Sequence, residues 1–203
     1  LNKPVIDPEM YSIAGQVYLQ SGDAKKAQEY FAKASGLDPK DPKKRTALAV
    51  AHYKVGQVDV ALGELQDIAT ADAGITADMA LISAHLSRKE YDKALKAIDA
   101  LEKKQPDKPT AANLRGRTLV AKQDVAGARK SFARALEIDP TYFAAAASLA
   151  ALDLGEKKPE EAKKRFDAVL AKDPKHTRSL LALAELRARA GGSKEEVVEL
   201  IGK

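Results

Sequence analysis

The sequence predicts an all-α chain, a solenoid of about six helix–turn–helix units. Three observations predict it. The phrase "AQEYFAKASGLDP" at 27–39 returns as "ARKSFARALEIDP" at 128–140 and "AKKRFDAVLAKDP" at 162–174. The alanines that open such phrases, Ala27, Ala61, Ala94, Ala128 and Ala162, are spaced 34, 33, 34 and 34 residues apart. Ala, Leu, Lys and Glu dominate the composition, and these residues favour helix. Self-similarity at such a period marks stacked supersecondary units.

After a tail over 1–7, the units are predicted at 8–41, 42–74, 75–108, 109–142, 143–176 and 177–203. Twelve residues before each opening alanine lies a second small slot. It pairs Gly15 with Ala27, Ala49 with Ala61, Gly116 with Ala128 and Ala150 with Ala162. Two helices that cross closely need a small residue on each. In unit one, Gly22 suits the left-handed residue that ends the first helix, and Asp23 suits the N-cap of the second. Gly56 does the same for unit two. That unit, however, ends in Ala73 and Gly74 where others place Pro39, Pro106, Pro140 or Pro174, and it is one residue short. Unit three puts Ile82 in the small slot, so the junction of these two units is predicted to be the least regular. Unit four has Asp124 as a cap. In unit five, Pro159 opens the second helix, and Glu160 and Glu161 meet the positive end of its dipole. Unit six closes with "SKEEVVELIGK", in which Ser193 and Glu196 form a capping box. Four residues after each alanine stands a large apolar residue: Phe31, Leu65, Ile98, Phe132, Phe166 and, in the last unit, Leu200. These should lie deep, because each unit borrows its neighbour's apolar face.

The small–small pair, the aromatic residue and the closing proline, recurring in register, resemble the tetratricopeptide repeat (TPR). The resemblance implies a right-handed α-solenoid whose first helices line a concave groove. The groove positions then fall on Ser12, Gln16, Thr46, Tyr53, Lys54, Met79, Ser83, Asn113, Arg117 and Arg189, among others. Unit five contributes only Ala144, Ala147, Ala151, Leu154 and Gly155, an apolar floor flanked by Arg117 and Arg189. Such a floor suits an extended or helical segment with acidic ends, or else it lets the solenoid curve tightly. Only Asn113 and Arg117 fit the carboxylate-holding set of some TPR domains, so capture of a chaperone tail is not expected.

Other classes are excluded on chemistry. The chain has no cysteine, hence no disulfide or thiolate site. There is no Gly-rich phosphate loop, nucleophile elbow or HExxH motif, so neither an enzyme nor a cofactor is expected. His52 and His85 occupy the slot of Tyr18 and Leu119 and read as packing residues. They lie one unit apart and could approach each other, without the nearby acids that a metal needs. His176, in a turn, reads as solvated, while Asp153 and Arg115 stand in usually apolar slots and read as residues that snorkel or pair rather than catalyse. The net charge of +5, from 34 bases against 29 acids, is a small surplus. Lys25, Lys26, Arg129, Lys130, Lys163, Lys164 and Arg165 form a basic stripe on the second helices, the alternative site for an anionic polymer such as polysaccharide or nucleic acid. The stripe lacks free stacking aromatics, so no specific nucleic acid is expected.

Residues 90–191 carry a narrower likeness. The run "EYDKALKAIDALEKKQPDKPTAANLRGRTLVAKQDVAGARKSFARALEIDP", continuing through "AKKRFDAVLAKDP" to "LLALAELRARAG", resembles the TPR lipoproteins of bacterial PEP-CTERM/exosortase systems. That resemblance implies an envelope protein on the periplasmic side, lipid-anchored outside this segment, and a scaffolding role in exopolysaccharide production or protein sorting. The opening "LNKPVIDPEM" shows no targeting signal and reads as a cut through a longer chain. Weak self-association is therefore expected through the face of unit one around Tyr11 and Ile13.

Overall fold

The structure, a computed structural model, describes residues 7–195 and 198. Glu196 and Leu200, predicted in the last helix, lie outside the described residues. As the sequence predicts, the fold is all-α, with eleven helices and no strand among the described residues. The chain divides into two compact units, 1–104 and 105–203. The first holds α1 (Pro8–Gln20), α2 (Ala24–Leu37), α3 (Pro42–Lys54), α4 (Val58–Ala71), α5 (Thr76–Ser87) and α6 (Tyr91–Lys104). The second holds α7 (Pro109–Ala121), α8 (Val125–Ile138), α9 (Phe143–Gly155), α10 (Pro159–Leu170) and α11 (Thr177–Arg189).

Among the described residues one turn is built six times. The backbone is left-handed at Gly22, Gly56, Lys89, Gln123, Lys157 and Gly191, with φ between 58° and 92°. Just after each, an N–H donates back to the carbonyl five residues earlier: Asp23 to Tyr18, Gln57 to His52, Glu90 to His85, Asp124 to Leu119, Lys158 to Asp153, Gly192 to Arg187. This is the Schellman closure of a helix, which satisfies carbonyls that the helix end would orphan. Glycine takes that conformation without steric cost; the lysines and the glutamine take it against their Cβ. The second helix then starts on a cap. Asp23 Oδ1 accepts from Lys26 N–H at 3.1 Å, and Asp124 Oδ1 from Gly127 N–H at 2.8 Å.

Ala27, Ala61, Ala94, Ala128 and Ala162 are each 0% exposed, and the large slot (Phe31, Leu65, Ile98, Phe132, Phe166) is 5% or less. The glycines of the small slot also face an aromatic ring. An added Cβ at Gly15 would sit 2.7 Å from the Phe31 ring, and one at Gly116 would sit 2.5 Å from the Phe132 ring. The two glycines thus make room for an aromatic face. Where the large residue is Leu65, the slot holds Ala49, and where it is Ile98, it holds Ile82.

The junction of the second and third hairpins, residues 72–75, is closed differently from its counterparts. The links 38–41 and 139–142 close on backbone bonds, Asp41 N–H to Asp38 C=O (3.3 Å) and Tyr142 N–H to Asp139 C=O (3.0 Å). At 72–75 the closure is the ammonium of Lys104. It donates to the carbonyls of Ala69 (2.5 Å), Asp72 (3.0 Å) and Gly74 (3.2 Å) and to Asp78 Oδ2 at 2.6 Å. Asp78 is 2% exposed.

Candidate functional site

Within each unit, successive first helices touch: α1 with α3, α3 with α5, and α7 with α9. Hollows lie on the faces of these first helices. In the second unit, a hollow of about 240 Å³ lies among Arg117, Val120, Phe132, Ser148, Ala151 and Leu152. A second, of about 130 Å³, runs from Ala147 and Ala151 past Leu154 to Glu185 and Arg189. The two meet at Ala151, a trough with Arg117 at one end and Arg189, beside Glu185, at the other. Short side chains make the floor, since α9 reads "FAAAASLAALDLG" and gives the trough little but methyl groups. Phe132 and Phe166 close it from beneath. Arg117 and Arg189 are both exposed.

In the first unit a hollow of about 310 Å³ is lined by Val50, Tyr53, Lys54, Ser83 and Ser87 among others. The Tyr53 hydroxyl is fixed there, 2.6 Å from Ser87 Oγ. Gln16 is exposed, Met79 half-buried, and Ser12 donates to the Pro8 carbonyl at 3.1 Å. Two residues of the predicted groove are corrected. Thr46 is 3% exposed and its hydroxyl is turned back to the Pro42 carbonyl at 2.6 Å. Asn113 is 6% exposed, and its Oδ1 is buried without a hydrogen-bond partner. The Thr46 hydroxyl and the Asn113 Oδ1 are thus withdrawn from the surface.

The basic stripe is largely neutralised by its own hairpins. Arg129 donates to Asp153 Oδ1 at 2.6 Å and to Glu156 at 2.8 Å; Arg165 donates to Asp153 Oδ2 at 2.9 Å. Burial opposes ionisation of Asp153, yet the guanidiniums of Arg165 and Arg129 outweigh it and hold the carboxyl below the usual aspartate value. Lys163 pairs with Asp167, Lys164 with Glu161, and Lys26 with Asp23. Only Lys25 and Lys130 of that set lack an acid among the described residues.

The histidines are structural. His52 Nδ1 lies 2.7 Å from Glu64 and His85 Nδ1 lies 2.8 Å from Glu90, each a partner within its own hairpin. His176 is half-buried rather than freely solvated. Its ring stacks on Phe143 at 5.7 Å, and its Nδ1 accepts from Ser179 N–H at 3.2 Å as the N-cap of α11. Tyr11 is likewise engaged, tilted on Tyr30 at 6.1 Å with Lys33 over its ring, while Met10, Ile13 and Val17 are 57–67% exposed. Among the described residues no group of three or more His, Asp or Glu could hold a metal, and no helix is long and apolar enough to cross a membrane.

Repeated hairpins with a common turn, a small–large lock and a face of first helices define a class of repeat solenoid. Tetratricopeptide-repeat family models match residues 18–79 and 119–186, and another of the same description matches 79–143. The chain belongs to the tetratricopeptide repeat family. Among solved structures it is similar to a thermophilic TPR protein of Thermus thermophilus (20% identity, 88% of this chain and 98% of that one, TM-score 0.60). It is also similar to PilF of Pseudomonas aeruginosa (20%, 96% and 87%, 0.62) and to MamA of Desulfovibrio magneticus RS-1 (17%, 83% and 96%, 0.58). At these identities the likeness is one of fold. No curated protein matches the chain in sequence. Proteins of this family act as protein–protein interaction scaffolds, a fold that is typically non-enzymatic.

Proposed function

We propose that this chain is a non-catalytic scaffold that seats a partner's peptide segment in the trough of its second unit. The observation that carries the reading is the pair of hollows joined at Ala151, with Arg117 at one end and Arg189 at the other. An apolar floor rewards apolar side chains with area removed from water. The two cations favour acids flanking that apolar stretch, and they set orientation more than affinity. A trough of methyl groups offers few hydrogen bonds, so specificity rests on shape and on the charges at the ends.

The neutralised stripe argues against the alternative, an anionic polymer held along the second helices. By the resemblance of residues 90–191, we further propose a place at the bacterial cell envelope, in scaffolding of exopolysaccharide export or PEP-CTERM protein sorting, with any membrane attachment made by a lipid anchor elsewhere. We also propose weak self-association through Met10, Ile13 and Val17 of α1, measurable as concentration-dependent sedimentation that Ile13→Lys removes.

Selection from a displayed peptide library tests the groove. Enriched sequences should place acids on both sides of an apolar core. Arg117→Glu with Arg189→Glu should weaken them by about tenfold or more, roughly 1.4 kcal/mol. Ala151→Gln, at an exposed position, should weaken them without changing the helical content. Enriched peptides indifferent to all three substitutions would refute the reading.

A further inference from the structure

We infer that a lysine-edged cleft between α4 and α6, on the second-helix side of the first unit, docks an acidic amphipathic helix of a partner protein. The cleft measures about 530 Å³ and its floor is α5. Leu81, Ala69, Ala97 and Ala100 give it an apolar base, and Lys93, Lys96, Lys103 and Lys104 stand along the α6 side. The α4 side offers only neutral groups, Gln66 and Thr70.

The second unit shows why the cleft is open. There the equivalent interval, between α8 and α10 over α9, is filled by Arg129 and Arg165 reaching Asp153 from either side. Counted from the opening alanine of each second helix, Arg165 is matched by Ala97, Arg129 by Leu62, and Asp153 by His85. Ala97 has no side chain with which to span the gap. His85 is turned to Glu90 of its own hairpin. The filling network is missing, and space remains.

The charges left over decide the occupant. Lys104 is committed to Asp78, the one acid in the lining, and to three carbonyls. Lys93 reaches Glu90 only at 3.6 Å, and that carboxylate already accepts from Arg88 and faces His85. Lys96 and Lys103 are exposed and have no acid partner among the described residues. From Lys93 to Lys104 the helix rises about 16 Å, the length of three helical turns. The alanines let a guest helix approach to the short end of the usual 8–10 Å interaxial range. A purely polar polyanion would leave the apolar base uncovered. A helix with leucines on one face and glutamates toward α6 satisfies both surfaces.

The probe is a fluorescein-labelled peptide of about three turns, with Leu at i, i+3, i+4 and i+7 and Glu beside them, and its Gln counterpart. Titrated by anisotropy against the whole chain, the Glu peptide should bind saturably and about tenfold more tightly than the Gln peptide. Lys96→Glu with Lys103→Glu should abolish that preference. Ala100→Arg, at an exposed site, should block binding although it adds a positive charge, while Arg117→Glu with Arg189→Glu should leave it unchanged. Unimpaired binding by Ala100→Arg would reveal diffuse attraction to a basic surface and overturn the proposal. So would absence of saturable binding. Vesicles of phosphatidylglycerol that bind the chain and are released by the double lysine reversal, with no peptide binding, would assign the cleft to a lipid surface instead.

Discussion

The close approach of Gly116 to Phe132 makes a test in which one substitution carries opposite signs at different sites. In Gly116→Ala the new Cβ would lie 2.5, 2.6 and 2.8 Å from three carbons of the Phe132 ring. Comfortable carbon contacts lie near 3.5–4.0 Å, so the ring must retreat by about 1 Å. It has little room, being 1% exposed. Phe166 does coexist with Ala150, but it stacks on Phe143 at 5.8 Å, and the residue in register with Phe143 in the other hairpin is Pro109. Overpacking of this kind costs about 1–3 kcal/mol, and the better helix propensity of alanine offsets about 1 kcal/mol. A net loss of up to about 2 kcal/mol is expected. Gly36 and Gly63, in α2 and α4, have nothing within 4 Å of an added Cβ. There the same change should stabilise by up to about 1 kcal/mol. Thermal unfolding followed by circular dichroism reads both, at about 2–4 °C per kcal/mol for a chain of this size. Adding Phe132→Leu to Gly116→Ala should recover part of the loss, a coupling that a double-mutant cycle measures. If Gly116→Ala melts at or above the wild type, or if the leucine brings no relief, the lock between ring and glycine is wrong.

Asp153 gives a pH prediction. Its folded pKa is lowered, so the stability it contributes is present above the unfolded aspartate value of about 3.9 and is lost as pH falls through the folded value. Asp153→Asn should therefore destabilise at pH 7 and flatten the loss of stability below about pH 4, as chemical denaturation at several pH values would show. Lys104→Met leaves Asp78 buried without its cation and three carbonyls without their donor. A loss of about 2–4 kcal/mol is expected, moderated because Lys104 is 20% exposed, with faster amide exchange across 72–75. Gln123→Gly relieves a left-handed residue at φ 67° and should raise stability by about 1 kcal/mol, whereas Gly56→Ala at the matching turn should lower it.

The fold was legible because period and turn chemistry are local. Pro8, Pro42, Pro109 and Pro159 each open a helix, and the glycines and aspartates of the first turns do what their side chains dictate. The site was legible in part. The register named Ala151, Arg117 and Arg189, since groove positions follow from the repeat. It also named Thr46 and Asn113, which the structure buries, because position on a helix face does not report how closely the next helix covers it. Side chains that reach between hairpins escaped the reading. Nothing in the spacing says that Arg129 and Arg165 converge on Asp153, or that Lys104 closes a link thirty residues away. His176 was misread for a similar reason: its stacking partner, Phe143, comes from another helix. Repetition reveals which residues are equivalent; it does not reveal which long side chain crosses to which neighbour.

The most direct test of the scaffold reading is a titration of isotope-labelled protein with a library-selected peptide, followed by amide chemical shifts. Shifts concentrated on Ala147, Ala151, Leu154 and Arg189, along the trough of the second unit, are the expected result. Shifts confined to the second helices α8 and α10, with α9 silent, would contradict it.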